Sequence, residues 1–251
     1  MRDEALRRIR LASEPCEDEK AGGPNAAKFL REFTYLLEPV RRRFRKIEIA
    51  PAQSPKRVML IPGFAANPRK MKYLANQLER AGHRVKRWGL GMNWGPDEQV
   101  FAKLDRRLVK VFESKGEPIY LVGWSLGGLY ARELAKRHPD KVAKVVTMGS
   151  PFSDSPRANN LWRIYQAITG HRVDAPPVDV DDLRTKPPVE TVALWSPADG
   201  VIHPRAARGL PGERDRAVAL RCTHMGFCFE PHAVRALAAE LDGEPGAGEA
   251  A

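Results

Sequence analysis

The six residues Gly123-Trp124-Ser125-Leu126-Gly127-Gly128 constrain this chain more than any other stretch. An apolar, β-branched run at 119–122 leads straight into them, and a stretch of helical period follows at 129–137. A strand that becomes a helix within so few residues must turn sharply. The positions two before and two after the serine then crowd the neighbouring strand and helix, and glycine removes the side chains that would collide there. Such a turn holds the serine hydroxyl out at its tip, where the start of the helix offers backbone N–H groups and the positive end of a dipole. A Gly-x-Ser-x-Gly string alone is common in ordinary turns. The strand before it and the helix after it make Ser125 read as a nucleophile.

The rest of the chain supports that context. From Lys56 onward, short apolar runs at 58–61, 84–88, 119–122, 142–148, 189–195 and 217–220 alternate with segments of helical period. This pattern predicts an α/β fold, a mostly parallel sheet of about six strands with helices on both faces. Asn67 and Pro68 predict a helix start, with Met71, Leu74 and Leu78 inward and Gly82 ending it. Phe101, Leu104, Leu108 and Val111 predict a second helix, and Pro231 opens a last one through Val234, Leu237 and Leu241. The sheet domain is thus expected over 56–241, with a small helical cap inserted at 152–187. Within the cap, Ser155 and Pro156 predict a helix start, with Leu161, Ile164, Tyr165 and Ile168 on one face over Ser125 and Arg157, Arg163 and Gln166 facing away. Packing of that face on the sheet is the alternative. Before the domain, residues 1–27 read as a loosely ordered leader and 28–55 as an amphipathic helix, bent at Pro39, with its connector; 242–251 read as a flexible tail.

A serine hydroxyl needs a base, and the base needs an acid that fixes its tautomer and stabilises its charged form. In a sheet of this kind both should follow the serine in the chain, on loops at the carboxyl ends of later strands. Asp199 lies in Ser196-Pro197-Ala198-Asp199-Gly200, just past the run ending at Trp195. Asp179, Asp181 and Asp182 compete, but they precede that strand. His224 lies just beyond the last run. Among the other histidines, His83 and His138 fall at helix ends on the opposite side of the sheet and His171 in the cap; His203 is too near Asp199, and His232 opens the closing helix. Two backbone donors should hold the oxyanion, Leu126 after the nucleophile and Phe64 in the turn Ile61-Pro62-Gly63-Phe64-Ala65. Trp124, Leu161 and Ile164 are candidates for contact with substrate. The loop Gly91-Met92-Asn93-Trp94-Gly95-Pro96 is either pocket rim or a plain connection into the next helix.

Composition narrows the remaining choices. A formal charge of +11 invites nucleic acid or an acidic membrane, but the cations are dispersed except for Arg41, Arg42, Arg43, Arg45 and Lys46, and no nucleic-acid motif accompanies them. That cluster beside the apolar face of 28–45 raises peripheral contact with anionic lipid, against the simpler expectation that the face covers the domain. Cys222, His224 and Cys228 match no common zinc spacing, so neither metal nor cofactor is expected. Three cysteines form no disulfide framework, and acidic residues with no apolar stretch mark the first thirty positions, so a cytoplasmic address is expected.

At these residues the chain resembles the lipase and esterase branch of the α/β-hydrolase superfamily, in the Pro-Gly-Phe turn at 62–64, the Gly-Trp-Ser-Leu-Gly-Gly turn at 123–128 and the Asp-Gly loop at 199–200. The resemblance implies Ser125 as nucleophile, Asp199 as acid, His224 as base, and Phe64 with Leu126 as the oxyanion hole. It also implies a small-molecule or lipid ester as substrate. Three departures stand out: Phe152 replaces the histidine usual in the Gly-Ser-Pro-His turn, Pro62 stands where many relatives carry histidine, and the antiparallel strands that precede the first central strand shrink at most to 47–50. Ester hydrolysis, acyl transfer to an alcohol, and a non-catalytic binding role on the same fold remain the readings to separate.

Overall fold

The computed structural model describes residues 2–16, 22–45, 47–178 and 182–243. Six strands, β1 (Arg57–Ile61), β2 (Arg84–Arg87), β3 (Ile119–Trp124), β4 (Val142–Met148), β5 (Glu190–Trp195) and β6 (Arg216–Ala219), form one sheet in the order β2-β1-β3-β4-β5-β6. Every neighbouring pair runs parallel. The short antiparallel strand weighed at 47–50 does not form; Ile47 and Ile49 pack against the core as irregular chain.

Alternation along each strand sends successive side chains to opposite faces. In β1, Val58 and Leu60 join a core layer with Leu74 and Leu78, and with Val234, Leu237 and Leu241. Met59 and Ile61 face the other layer, with Leu104, Leu108 and Leu134. These side chains lie on the helices that the sequence periodicity predicts, α4 (Lys72–Arg80), α5 (Val100–Glu113), α6 (Leu126–Arg137) and α8 (Pro231–Asp242). Asn67 accepts from Arg69 N at 2.9 Å and so caps the turn that leads into α4.

The amino-terminal region departs from expectation twice. Where composition suggests a loose leader, Arg2–Ala12 form a helix, α1, lying along α7 (Trp162–Thr169) of the cap. Arg7 and Arg8 donate to the carbonyls of Gly170 and Ile168, supplying cations to the otherwise unpaired C-terminal end of α7. Residues 17–21 of that leader lie outside the described residues, as do 244–251 of the tail. The second departure is at 28–45, where one amphipathic helix becomes α2 (Ala26–Glu32), a 3-10 turn (Phe33–Leu37) and α3 (Glu38–Phe44), with Pro39 in the first turn of α3.

Burial in this segment is inverted relative to the expected pattern. Glu32 and Glu38 point inward at 5% and 4% exposure, whereas Leu30, Phe33, Leu36, Leu37, Val40 and Phe44 are 54–84% exposed. The reason is what lies beneath. Glu38 meets Arg45 at 2.8 Å with Arg41 and Arg42 close by, and the Arg42 guanidinium sits 4.3 Å from the rings of both Tyr73 and Phe229. Charged groups with partners are taken inward and the apolar face is left in solvent. Among the described residues, no helix is long and apolar enough to cross a membrane.

Candidate active site

The elbow is built from the end of β3. Ser125 N donates to Met148 O at 2.9 Å, the last bond of the ladder, and the chain then reverses into α6 with Ser125 at φ 54°, ψ −124°. A side chain on Gly123 would come within 2.3 Å of Gly127 O, and one on Gly127 within 2.2 Å of Ile61 O. The crowding inferred from the sequence is therefore a clash with backbone, which cannot yield. Holding a non-glycine residue at this φ stores of order 1–3 kcal/mol, sustained by the surrounding packing.

Asp199 and His224 meet beside the elbow, Asp199 Oδ2 lying 2.8 Å from His224 Nδ1. Asp199 is 1% exposed, and its other oxygen accepts from Val201 N and Ile202 N, each at 2.8 Å, so the carboxylate cannot rotate away. An ionised carboxylate only accepts, so the imidazole proton belongs on Nδ1 and Nε2 keeps its lone pair. Burial pushes the imidazole pKa down, but the charge and hydrogen bond of Asp199, then the charge of Glu32, outweigh it and leave His224 above its ordinary value. Trp124 Nε1 donates to His224 O at 3.1 Å and its ring stacks obliquely on the imidazole, tying the histidine loop to the residue before Ser125. Among the described residues no hydrogen bond joins the Ser125 hydroxyl to His224; such bonds commonly tighten only when substrate is bound.

The turn after β1 passes directly over the elbow, since a Cβ on Gly63 would sit 3.0 Å from Ser125 Cβ. Phe64 N makes no hydrogen bond among the described residues, and Leu126 N, at the first position of α6, has no intrahelical partner. Neither of these two N–H groups is taken by another acceptor among the described residues. Asn93 fixes this turn. It is 1% exposed, donates from Nδ2 to Pro62 O at 2.8 Å, and exchanges backbone bonds with Ala65 and Ala66. Sequence reasoning saw its loop but not its role; an asparagine in a glycine-rich turn after a strand was the available signal.

Ser125 opens into a cavity of about 120 Å³ whose walls are largely apolar, including Phe64, Leu129, Leu161, Tyr165, Val201 and Ile202, with Pro96 at its rim.

A family profile described as the alpha/beta hydrolase fold matches residues 113–169, which contain the whole elbow. That match covers only part of the chain, and the all-parallel sheet and the likeness to solved structures show the fold. The chain has the α/β-hydrolase fold. It is similar to a monoacylglycerol lipase from Paleococcus ferrophilus, 18% identical with a TM-score of 0.54 over 79% of this chain and 99% of that one. A pyrethroid hydrolase from Sphingobium faniae gives 17% identity and a TM-score of 0.52 over 76% and 99%. A pimeloyl-[acyl-carrier protein] methyl ester esterase of Aromatoleum aromaticum is 64% identical over 28 residues, which span 11% of either chain.

In this α/β-hydrolase fold the remaining candidates separate cleanly. Leu161 lines the cavity, as expected. Ile164 does not: it is 50% exposed, because the cap helix begins at Trp162 rather than near Ser155 and presents Trp162, Tyr165 and Gln166 inward. Gln166, expected to face away, is fully buried because α1 covers it; its amide donates to Leu11 O and accepts from Val173 N. Trp124, expected at the substrate, lies in the core under His224 and does not line the cavity. Asp182 is exposed and bonds locally to Arg184; Asp179 and Asp181 lie outside the described residues. Phe152 is buried under the Arg132 guanidinium at 4.1 Å. Cys222 and Cys228 are buried thiols held well above their ordinary pKa chiefly by burial.

Proposed function

We propose that this chain hydrolyses carboxylic esters through an acyl-enzyme on Ser125. The observation that carries the reading is the buried Asp199–His224 pair, anchored by Trp124 to the elbow that presents Ser125. In this mechanism Ser125 Oγ attacks the ester carbonyl while His224 Nε2 takes its proton, and Asp199 stabilises the imidazolium. The N–H groups of Phe64 and Leu126 hold the oxyanion. The proton then passes to the leaving alkoxide, and water attacks the acyl-enzyme by the same route. That the similar proteins are named as a lipase, a pyrethroid hydrolase and a methyl ester esterase supports the reaction class and nothing finer. The cavity is near the size of an engineered protein cavity of about 150 Å³ that takes benzene, which favours short to medium acyl groups. No cofactor enters this chemistry.

Fluorophosphonate labelling with Ser125→Ala as control, followed by p-nitrophenyl esters of graded length, tests the reading. Absence of label, or label at another serine, would falsify it. Acyl transfer uses the same residues and is separated by product analysis with and without an alcohol acceptor. A cytoplasmic address belongs to the same reading and is tested by cell fractionation.

The inverted segment at 28–44 adds a source for the substrate. Its six exposed apolar side chains share the segment with exposed Arg31, Arg41 and Arg43, a combination complementary to an anionic lipid surface. We place such a surface, rather than the domain itself, against this face. Co-sedimentation with phosphatidylserine vesicles should fall with salt and on Phe33→Ser with Phe44→Ser. Salt-independent behaviour, or a dimer that dissociates in the same variant, overturns the assignment.

A further inference from the structure

The catalytic acid and base stand on loops after different strands, β5 and β6, and something must hold the two loops in register. Glu32, the last residue of α2, reaches between them. Its Oε1 accepts from Gly200 N and from His224 N, each at 2.7 Å, and its Oε2 accepts from Met225 N at 2.9 Å. One carboxylate therefore bonds the residue after Asp199, the backbone of His224 itself, and the residue after it.

The surroundings are shaped for this contact. A side chain on Gly200 would lie 2.3 Å from Lys28 O, so only glycine lets α2 come this close to the acid loop. Asn160 of the cap seals the junction, its amide donating to Gly200 O at 2.7 Å and to Pro24 O at 2.9 Å. Asn25 accepts from Lys28 N and starts α2 at the right point for Glu32 to end it over the histidine loop. Three backbone donors converge on a side chain 5% exposed. Such a convergence is costly to leave unfilled, because each N–H would be stranded without solvent.

We propose that Glu32 is a positioning residue for the Asp199–His224 pair, a carboxylate that clamps the acid and base loops together from an amino-terminal helix outside the sheet domain. The proposal rests on the reading of Ser125, His224 and Asp199 as a catalytic triad. The charge of Glu32 also acts on the imidazole, adding to Asp199 in holding His224 above its ordinary pKa. The groups that face His224 are Asp199 and Glu32 as charges and the Trp124 and Phe227 rings.

Glu32→Gln keeps the size and one acceptor but turns a donor toward an N–H that needs an acceptor. kcat for p-nitrophenyl butyrate should drop on the order of 10- to 100-fold, as for displaced catalytic groups, with KM little changed. The His224 titration, followed by NMR through the imidazole signals, should move to lower pH. Glu32→Asp, which retains the charge on a shorter arm, should lose kcat while keeping more of that pH position. An unchanged kcat, or a His224 midpoint in Glu32→Gln equal to wild type, overturns the proposal. The NMR arm reads the clamp without any turnover. Failure of the esterase reading would show separately, as wild-type protein that neither labels at Ser125 nor cleaves esters.

Discussion

Trp124 Nε1 donates to the backbone oxygen of His224 at 3.1 Å, across 100 residues of sequence. The bond joins the residue before the proposed nucleophile to the proposed base, so the loops of Ser125 and His224 share one support. Trp124→Phe keeps an aromatic ring but strands that buried oxygen, at a cost of about 1–3 kcal/mol. Thermal melting should report the loss, and ester kinetics should show lower kcat with KM unchanged, since Trp124 does not line the cavity.

His224 makes activity and stability depend on pH in opposite senses. Its folded pKa is raised above the ordinary 6.5. The stabilisation from protonating it is fully present below the unfolded value and is lost as pH rises through the folded one. The neutral ring is the form that acts as base in the proposed mechanism, so kcat/KM should climb over the same range in which this increment of stability disappears. In Asp199→Asn the largest opposing influence is gone and burial dominates, so the acid limb of any residual activity should move to lower pH. Melting curves and pH–rate profiles on both proteins check the pair of signs.

Gly127→Ala should abolish folding or nearly so, because its Cβ would stand 2.2 Å from Ile61 O and 2.7 Å from Pro62 O, both backbone. Gly116→Ala provides the contrast. It too is changed from glycine, at φ +68°, but nothing lies within 4 Å of the new carbon. Only the left-handed conformation is penalised there, by roughly 1–2 kcal/mol. Soluble yield and denaturant midpoints distinguish a collision from strain.

Leu161 and Ile164 sit on the same cap element with opposite surroundings. Leu161→Asp should raise KM progressively with acyl length, by up to about fourfold per methylene that loses its apolar wall. Ile164→Asp should leave the chain-length profile unaltered, since its side chain is half exposed and away from the cavity. The p-nitrophenyl ester series, with circular dichroism to establish folding, separates the two.

The elbow was legible because its determinants are local. Glycines at fixed offsets from Ser125, an apolar run before it and a helical period after it are all contained in a short stretch, and the order of strands follows from where such runs recur. Asp199 and His224 were legible for a related reason: each follows directly on a strand, and a parallel sheet brings all strand ends to one edge. The N–H groups of Phe64 and Leu126 follow from position alone.

What the tertiary structure decided is which face each amphipathic element turns inward. A helical period states that a face is apolar, not what waits beneath it. At Gln166 the partner is a carbonyl of α1, and at Asn93 it is the turn over the elbow. At Glu32 it is three N–H groups lying 168 to 193 residues away. In each case buried backbone groups had to find partners, and a polar side chain met that need with a partner that local pattern does not reveal.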